Sequence, residues 1–113
     1  MLPIATNLFA GDDAQPWQTV GEGVRRKILI YDATMMMVKV AFETGSIGAI
    51  HQHVHTQISY VESGVFEATV GNQKRILRAG DTFLAPSNEW HGVVCQEAGV
   101  LIDVFTPMRE DFV

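Results

Sequence analysis

Cysteine is almost absent from this chain of 113 residues: Cys95 stands alone, so no intramolecular disulfide can form and no cysteine-rich zinc site exists. Basic residues are scarce too. Eight lysines and arginines face 13 acidic residues, a net charge of −5. That balance excludes a general surface for nucleic acid or an anionic membrane, either of which needs a basic patch. It still allows a small anionic substrate, because one metal and one arginine reverse the field locally. No apolar run approaches the roughly 18–20 residues that span a bilayer. The opening Met1-Leu2-Pro3-Ile4-Ala5 also lacks the basic leader and apolar run of a secretory signal. Between Val24 and Phe105 no helix-length amphipathic pattern with capping residues occurs. The expectation is one soluble cytoplasmic domain with no nucleic-acid or membrane partner.

What is present is β texture. Hydrophobic residues make up 47% of the chain and charged ones 19%, as in a folded globular protein. Residues 1–22 carry Gly11-Asp12-Asp13 and Pro16-Trp17 without a sustained period and read as an N-terminal arm; 23–113 read as the domain. Within it, runs rich in Val, Ile, Met, Phe and Tyr predict strands over 25–31, 35–42, 49–53, 58–62, 65–70, 74–77, 82–85, 91–95 and 100–105. Ser63-Gly64 and Gly71-Asn72 carry tight-hairpin chemistry, and Ala79-Gly80-Asp81 and Pro86-Ser87-Asn88 are two further breaks. The tail 108–113 has the length of a single helical turn. So many short strands must close on themselves or form a sandwich, because small open sheets leave sticky edges. The fold class is all-β.

Three of the four histidines lie within five residues, His51, His53 and His55. Side chains alternate faces along a strand, so His51 and His53 point the same way, and Gln57 shares their parity if the intervening turn preserves the register. A further ligand must come from a neighbouring strand, and His91 opens the other histidine-bearing run. Imidazoles with this spacing suit one metal ion. His55 has the parity to replace one of them, or it ends the strand and serves the barrel mouth. Cys95 has the parity of His91 and reads as a buried thiol. Near the C-terminus, Leu101, Asp103 and Phe105 share one face of a strand. An acid between apolar neighbours there is either partnered, functional or on a solvent face. Arg109, beyond Pro107, either folds back over the mouth or lies solvated beside Glu110 and Asp111.

Gly45, His51-x-His53, Gln57 and Gly64 resemble the first cupin motif; Gly80, Pro86, Asn88 and His91 resemble the second. Together they cover residues 45–95. The resemblance implies a small jelly-roll β-barrel with one divalent first-row transition metal inside it, held by His51, His53, Gln57 and His91, and often a homodimer. The ligand chemistry suits zinc, nickel, manganese or iron alike. Against cupins at large Gln57 replaces a frequent Glu, Asn88 a glycine and Cys95 an asparagine. Three histidines and an amide form a neutral set, which leaves a divalent ion its full charge as a Lewis acid.

More specific stretches are Arg26-Lys27-Ile28, Gln57-Ile58-Ser59-Tyr60-Val61, His91-Gly92-Val93-Val94-Cys95 and the closing segment from Asp103 through Thr106-Pro107-Met108-Arg109 to Phe112. These are similar to the KdgF-type cupins of pectin and alginate breakdown, and Gln57 and Cys95 fit that subfamily. The resemblance implies linearisation of 4,5-unsaturated uronate monosaccharides to 5-keto-4-deoxyuronate, with Asp103, Phe105 and Arg109 acting beside the metal on a small anionic sugar. Two other readings are a non-haem iron cupin dioxygenase and a non-catalytic sugar-binding module. Oxygen consumption would mark the first, and tight uronate binding without turnover the second.

Overall fold

The computed structural model of the protein describes residues 7–113. Eight strands occur among the described residues: β1 (Gln18–Gly21), β2 (Val24–Tyr31), β3 (Met36–Phe42), β4 (Ile47–His51), β5 (Thr56–Val70), β6 (Gln73–Arg78), β7 (Thr82–Ala85) and β8 (His91–Thr106). All the pairings are antiparallel, and the main path runs β1-β2-β3-β8-β5-β6, with β4 on β8 and β7 on β5. No described helix is long and apolar enough to cross a membrane.

The two long strands organise the barrel. β5 and β8 pair from Thr56↔Thr106 to Val70↔His91, so the start of each strand lies beside the end of the other. The C-terminal part of β8 pairs with β3, and its N-terminal part with β4. The pair thus passes from one layer to the other. Its register shifts between Val61 and Phe66, the bulging by which strands change sheets at a corner. Gly64 makes the close approach there. It has φ of 84°, and a Cβ on it would lie 2.6 Å from the Glu97 carbonyl oxygen. Ser63-Gly64 is therefore a bulge inside one strand, not the tip of a hairpin. The predicted strands 58–62 and 65–70 fuse into β5, and 91–95 and 100–105 fuse into β8. Gly71-Asn72 does close a two-residue turn, between Val70 and Gln73, with Gly71 at φ 59°.

Inside the bend lies the main core: Val24, Phe42, Val61, Phe66, Ala68, Leu77, Val93, Cys95 and Leu101. Phe42 and Phe66 meet edge to face with centroids 5.2 Å apart. Cys95 is a buried free thiol within this cluster, its Sγ 3.1 Å from the Glu97 carbonyl oxygen. A smaller cluster of Met36, Val38 and Phe105, with Met108 and Phe112 against it, lies at the other end.

Part of the expected irregular arm is ordered onto the sheet. Gln18–Gly21 forms edge strand β1 on β2, a length too short to show a period in the sequence. A 3-10 turn at Asp12–Ala14 brings Asp12 to Lys39, at 2.7 Å, and to the buried Lys27. Residues 1–6 of that arm lie outside the described residues. The tail forms a single 3-10 turn at Glu110–Phe112.

Candidate metal centre and active site

At the end of the barrel away from the bend, the strand termini converge. His51 ends β4, His91 opens β8 and the two are register partners. Gln57 lies at the start of β5, opposite Phe105. The predicted strand 49–53 ends early, so His53 sits in the loop between β4 and β5 and not on a strand. It reaches the same place nonetheless: one ring nitrogen from each of His51, His53 and His91 lies within 4.8 Å of the others.

Backbone carbonyls set the three rings. The Nδ1 atoms of His51, His53 and His91 lie 2.8 Å from the carbonyl oxygens of Ala49, His55 and Glu89. A carbonyl only accepts, so each Nδ1 carries the hydrogen and each Nε2 presents a lone pair. Gln57 Oε1 lies 3.1 Å from both His53 Nε2 and His91 Nε2. Acceptors thus face acceptors, and a cation satisfies all of them at once. Burial holds the His91 imidazole down at about 4, and the charges of His51, His53 and Arg109 add to the effect. Burial, then Arg109, also lowers His53. Neutral imidazoles are the form that binds metal, so the donor set fits a divalent ion of the kind imidazole and amide oxygen take.

Beside these groups Asp103 points into the barrel, as Leu101 and Phe105 do. Burial pushes its carboxyl up to about 6, against opposing pulls from the Ser59 hydroxyl and Arg109. Ser59, fully buried, donates to Asp103 Oδ1 at 2.6 Å and accepts from Gln57 Nε2 at 2.9 Å. Sequence reasoning passed over Ser59 as a functional residue. Its only signal is parity, since positions 57, 59 and 61 of one strand all point inward.

The tail covers the mouth. Arg109 lies over the rings of Phe105, at 5.1 Å, and Phe112, at 4.2 Å, and its guanidinium donates to both oxygens of Asp111. Phe105 in turn meets His53 edge-on at 5.8 Å. Arg26, in one of the stretches that carry the resemblance, stacks on Phe112 from 3.7 Å, so a second cation flanks the mouth. His55 is buried, and its Nε2 meets Glu110 at 3.0 Å. It ties the tail down and does not join the other three histidines.

This arrangement defines a class: a jelly-roll barrel that gathers histidines and an amide at its open end, with a buried acid next to them. Residues 38–105 match the cupin domain model. The chain is 50% identical over 103 residues to pectin degradation protein KdgF of Dickeya dadantii, covering 89% of this chain and 94% of that one. Among solved structures, KdgF from a Halomonas species superposes with a TM-score of 0.91 at 40% identity, over 96% of this chain and all of that one. An RmlC-like cupin from Shewanella frigidimarina gives 0.92 at 39% identity, over 96% of this chain and 97% of that one. The chain belongs to the cupin family, and within it to the KdgF type.

Proposed function

We propose that the protein is a metal-dependent enzyme that opens 4,5-unsaturated uronate monosaccharides to 5-keto-4-deoxyuronate, an isomerase-type reaction with lyase-like bond cleavage. One observation carries this reading: a buried carboxyl poised near neutrality, Asp103, stands one hydroxyl away from Gln57 in the histidine cluster. His51, His53, Gln57 and His91 would hold one divalent first-row metal. When bound, that metal supplies Lewis-acid stabilisation of negative charge developing on substrate oxygen.

The chain's own groups divide the remaining work. The substrate is a hemiacetal whose ring oxygen is also part of an enol ether. Opening it removes a proton from the C1 hydroxyl, breaks the bond from C1 to the ring oxygen, and adds a proton at C4. One proton leaves and one arrives, so a single carboxyl that accepts and returns a proton balances the reaction. Asp103, with a pKa of about 6, is matched to that task at neutral pH. Arg109 offers a planar fork for the substrate carboxylate, in place of Asp111, which it now holds. Phe105 supplies an apolar wall for the sugar face and keeps water away from Asp103.

The assembly proposed is a homodimer. Met37, Val104, Ile58 and Leu84 form an apolar row in register across β3, β8, β5 and β7. Ile58 and Leu84 are each about half exposed on that outer face. The cytoplasm, which keeps thiols reduced, is the compartment proposed for a chain whose one cysteine is unpaired.

The test follows the ultraviolet absorbance of an unsaturated uronate monomer with metal-loaded and chelator-stripped protein, in the absence of oxygen. Metal-dependent loss faster than the spontaneous rate is expected. Turnover that required oxygen would favour an iron dioxygenase, and tight binding without turnover a sugar-binding module; either would displace this reading.

A further inference from the structure

We propose that Ser59 is the positioning residue that aims the Gln57 amide oxygen at the histidines and holds the Asp103 carboxylate, joining metal ligand to acid–base group through one hydroxyl. The inference rests on the functional reading above for what Asp103 does, and on geometry alone for what Ser59 does.

A count of protons fixes the orientation of each group. A serine hydroxyl has a single hydrogen, and Asp103 Oδ1, 2.6 Å away, takes it. Ser59 Oγ then has only lone pairs to offer Gln57, so the amide must turn its NH2 toward it, at 2.9 Å. The amide oxygen is thereby left facing His53 Nε2 and His91 Nε2, at 3.1 Å from each. The flipped amide would set its carbonyl against Ser59 and make two acceptors compete for one hydrogen. All three groups are buried, and a buried acceptor left without a hydrogen is disfavoured because neither protein nor water supplies the lost bond. The same count explains why an amide stands at position 57. A carboxylate there has no hydrogen to give Ser59, and two acids would then share one hydroxyl.

The arrangement also gives Asp103 a direction. Ser59 holds it by Oδ1, and Arg109 is the nearby charge that favours its carboxylate. Groups that orient a metal ligand in this way typically change metal affinity about 10- to 100-fold when removed.

The experiment compares Ser59→Ala, Ser59→Cys and Ser59→Thr in the full chain. Zinc affinity is measured by competition with a chromogenic chelator, and the pH profile of kcat/KM on unsaturated uronate is recorded alongside. Ser59→Ala is expected to bind zinc at least tenfold more weakly. Its kcat should fall with KM nearly unchanged, and the acid limb should move to higher pH, because the hydroxyl that favours the Asp103 carboxylate is gone. Ser59→Cys keeps the shape with a weak donor and should behave like Ser59→Ala, which decides the matter if Ser59→Ala does not fold. Ser59→Thr restores the hydroxyl and should recover zinc affinity. Unchanged zinc affinity in both Ser59→Ala and Ser59→Cys overturns the proposal, whatever their melting temperatures. The zinc measurement uses no uronate, so it tests the role of Ser59 even if the wild type turns over no uronate at all.

Discussion

The bend of the barrel and its mouth are built from the same two strands and the same alternation of inward side chains, yet they fill the interior with opposite chemistry. Around the bend, β5 and β8 send in Val61, Phe66, Cys95 and Leu101, members of one buried apolar cluster. Toward their ends, the same strands send in Gln57, Ser59, His91 and Asp103, all buried and all polar. Burial at the bend lowers the free energy of the fold. At the mouth it raises it, because Asp103 is held away from water with its pKa near 6. One region supplies the stability that the other spends on preorganised chemistry.

The contrast is sharpest for Phe66, fully buried against Phe42 at the bend. Phe66→Ala is expected to cost about 3–5 kcal/mol, read as a lower denaturation midpoint, with zinc affinity per folded molecule unchanged. A loss of zinc binding in the folded variant would show that the two regions are not separable.

Asp103→Asn should act in the opposite direction on the metal-free protein. The folded pKa lies above the unfolded one, so the unfolded chain releases this proton first as pH rises. Stability then falls from about pH 4 to about pH 6 and stays lower beyond. Removing the charge should therefore stabilise the protein by up to about 3 kcal/mol above pH 6, at 1.36 kcal/mol per pKa unit, and by nothing below pH 4. Chemical denaturation at the two pH values checks both the sign and the window. Equal effects at both would mean that the buried carboxyl carries no cost.

Arg109→Lys should keep the charge at the mouth and lose the fork. A rise in KM for uronate of about tenfold is expected, with kcat less affected. The smallest effect belongs to Glu110→Gln, which removes the charge on the exposed side of the His55 contact and leaves an amide oxygen to accept from it. Such a pair contributes little, so only a marginal change in melting temperature is expected; a large one would make the tail a structural part of the mouth.

Much of this division was legible in the sequence. Parity along the strands puts Asp103 and Phe105 on the inner face, and the spacing of His51, His53, Gln57 and His91 brings them to one end. What was not legible depends on partners far along the chain. Ser63-Gly64 reads as a hairpin because a glycine at positive φ serves a turn and a bulge equally, and only the pairing with residues 97–100 of β8 distinguishes them. His53 lies off the strand, yet the hydrogen bond to the His55 carbonyl oxygen turns its ring to the same place. Asn88 takes φ 63°, a conformation that asparagine tolerates better than most residues, which accounts for its standing in for the motif's glycine. Parity turns Ser59 inward, but a small hydroxyl at such a position looks like any other strand serine until its two partners are in view.

The most direct test of the mouth as an acid–base site is the turnover of unsaturated uronate by metal-loaded wild type and Asp103→Asn, with metal content measured in both. The expected result is equal metal content and a fall in kcat of about 10²- to 10⁴-fold in the variant. Near-normal turnover by Asp103→Asn at full metal loading would contradict the account and remove Asp103 from the reaction.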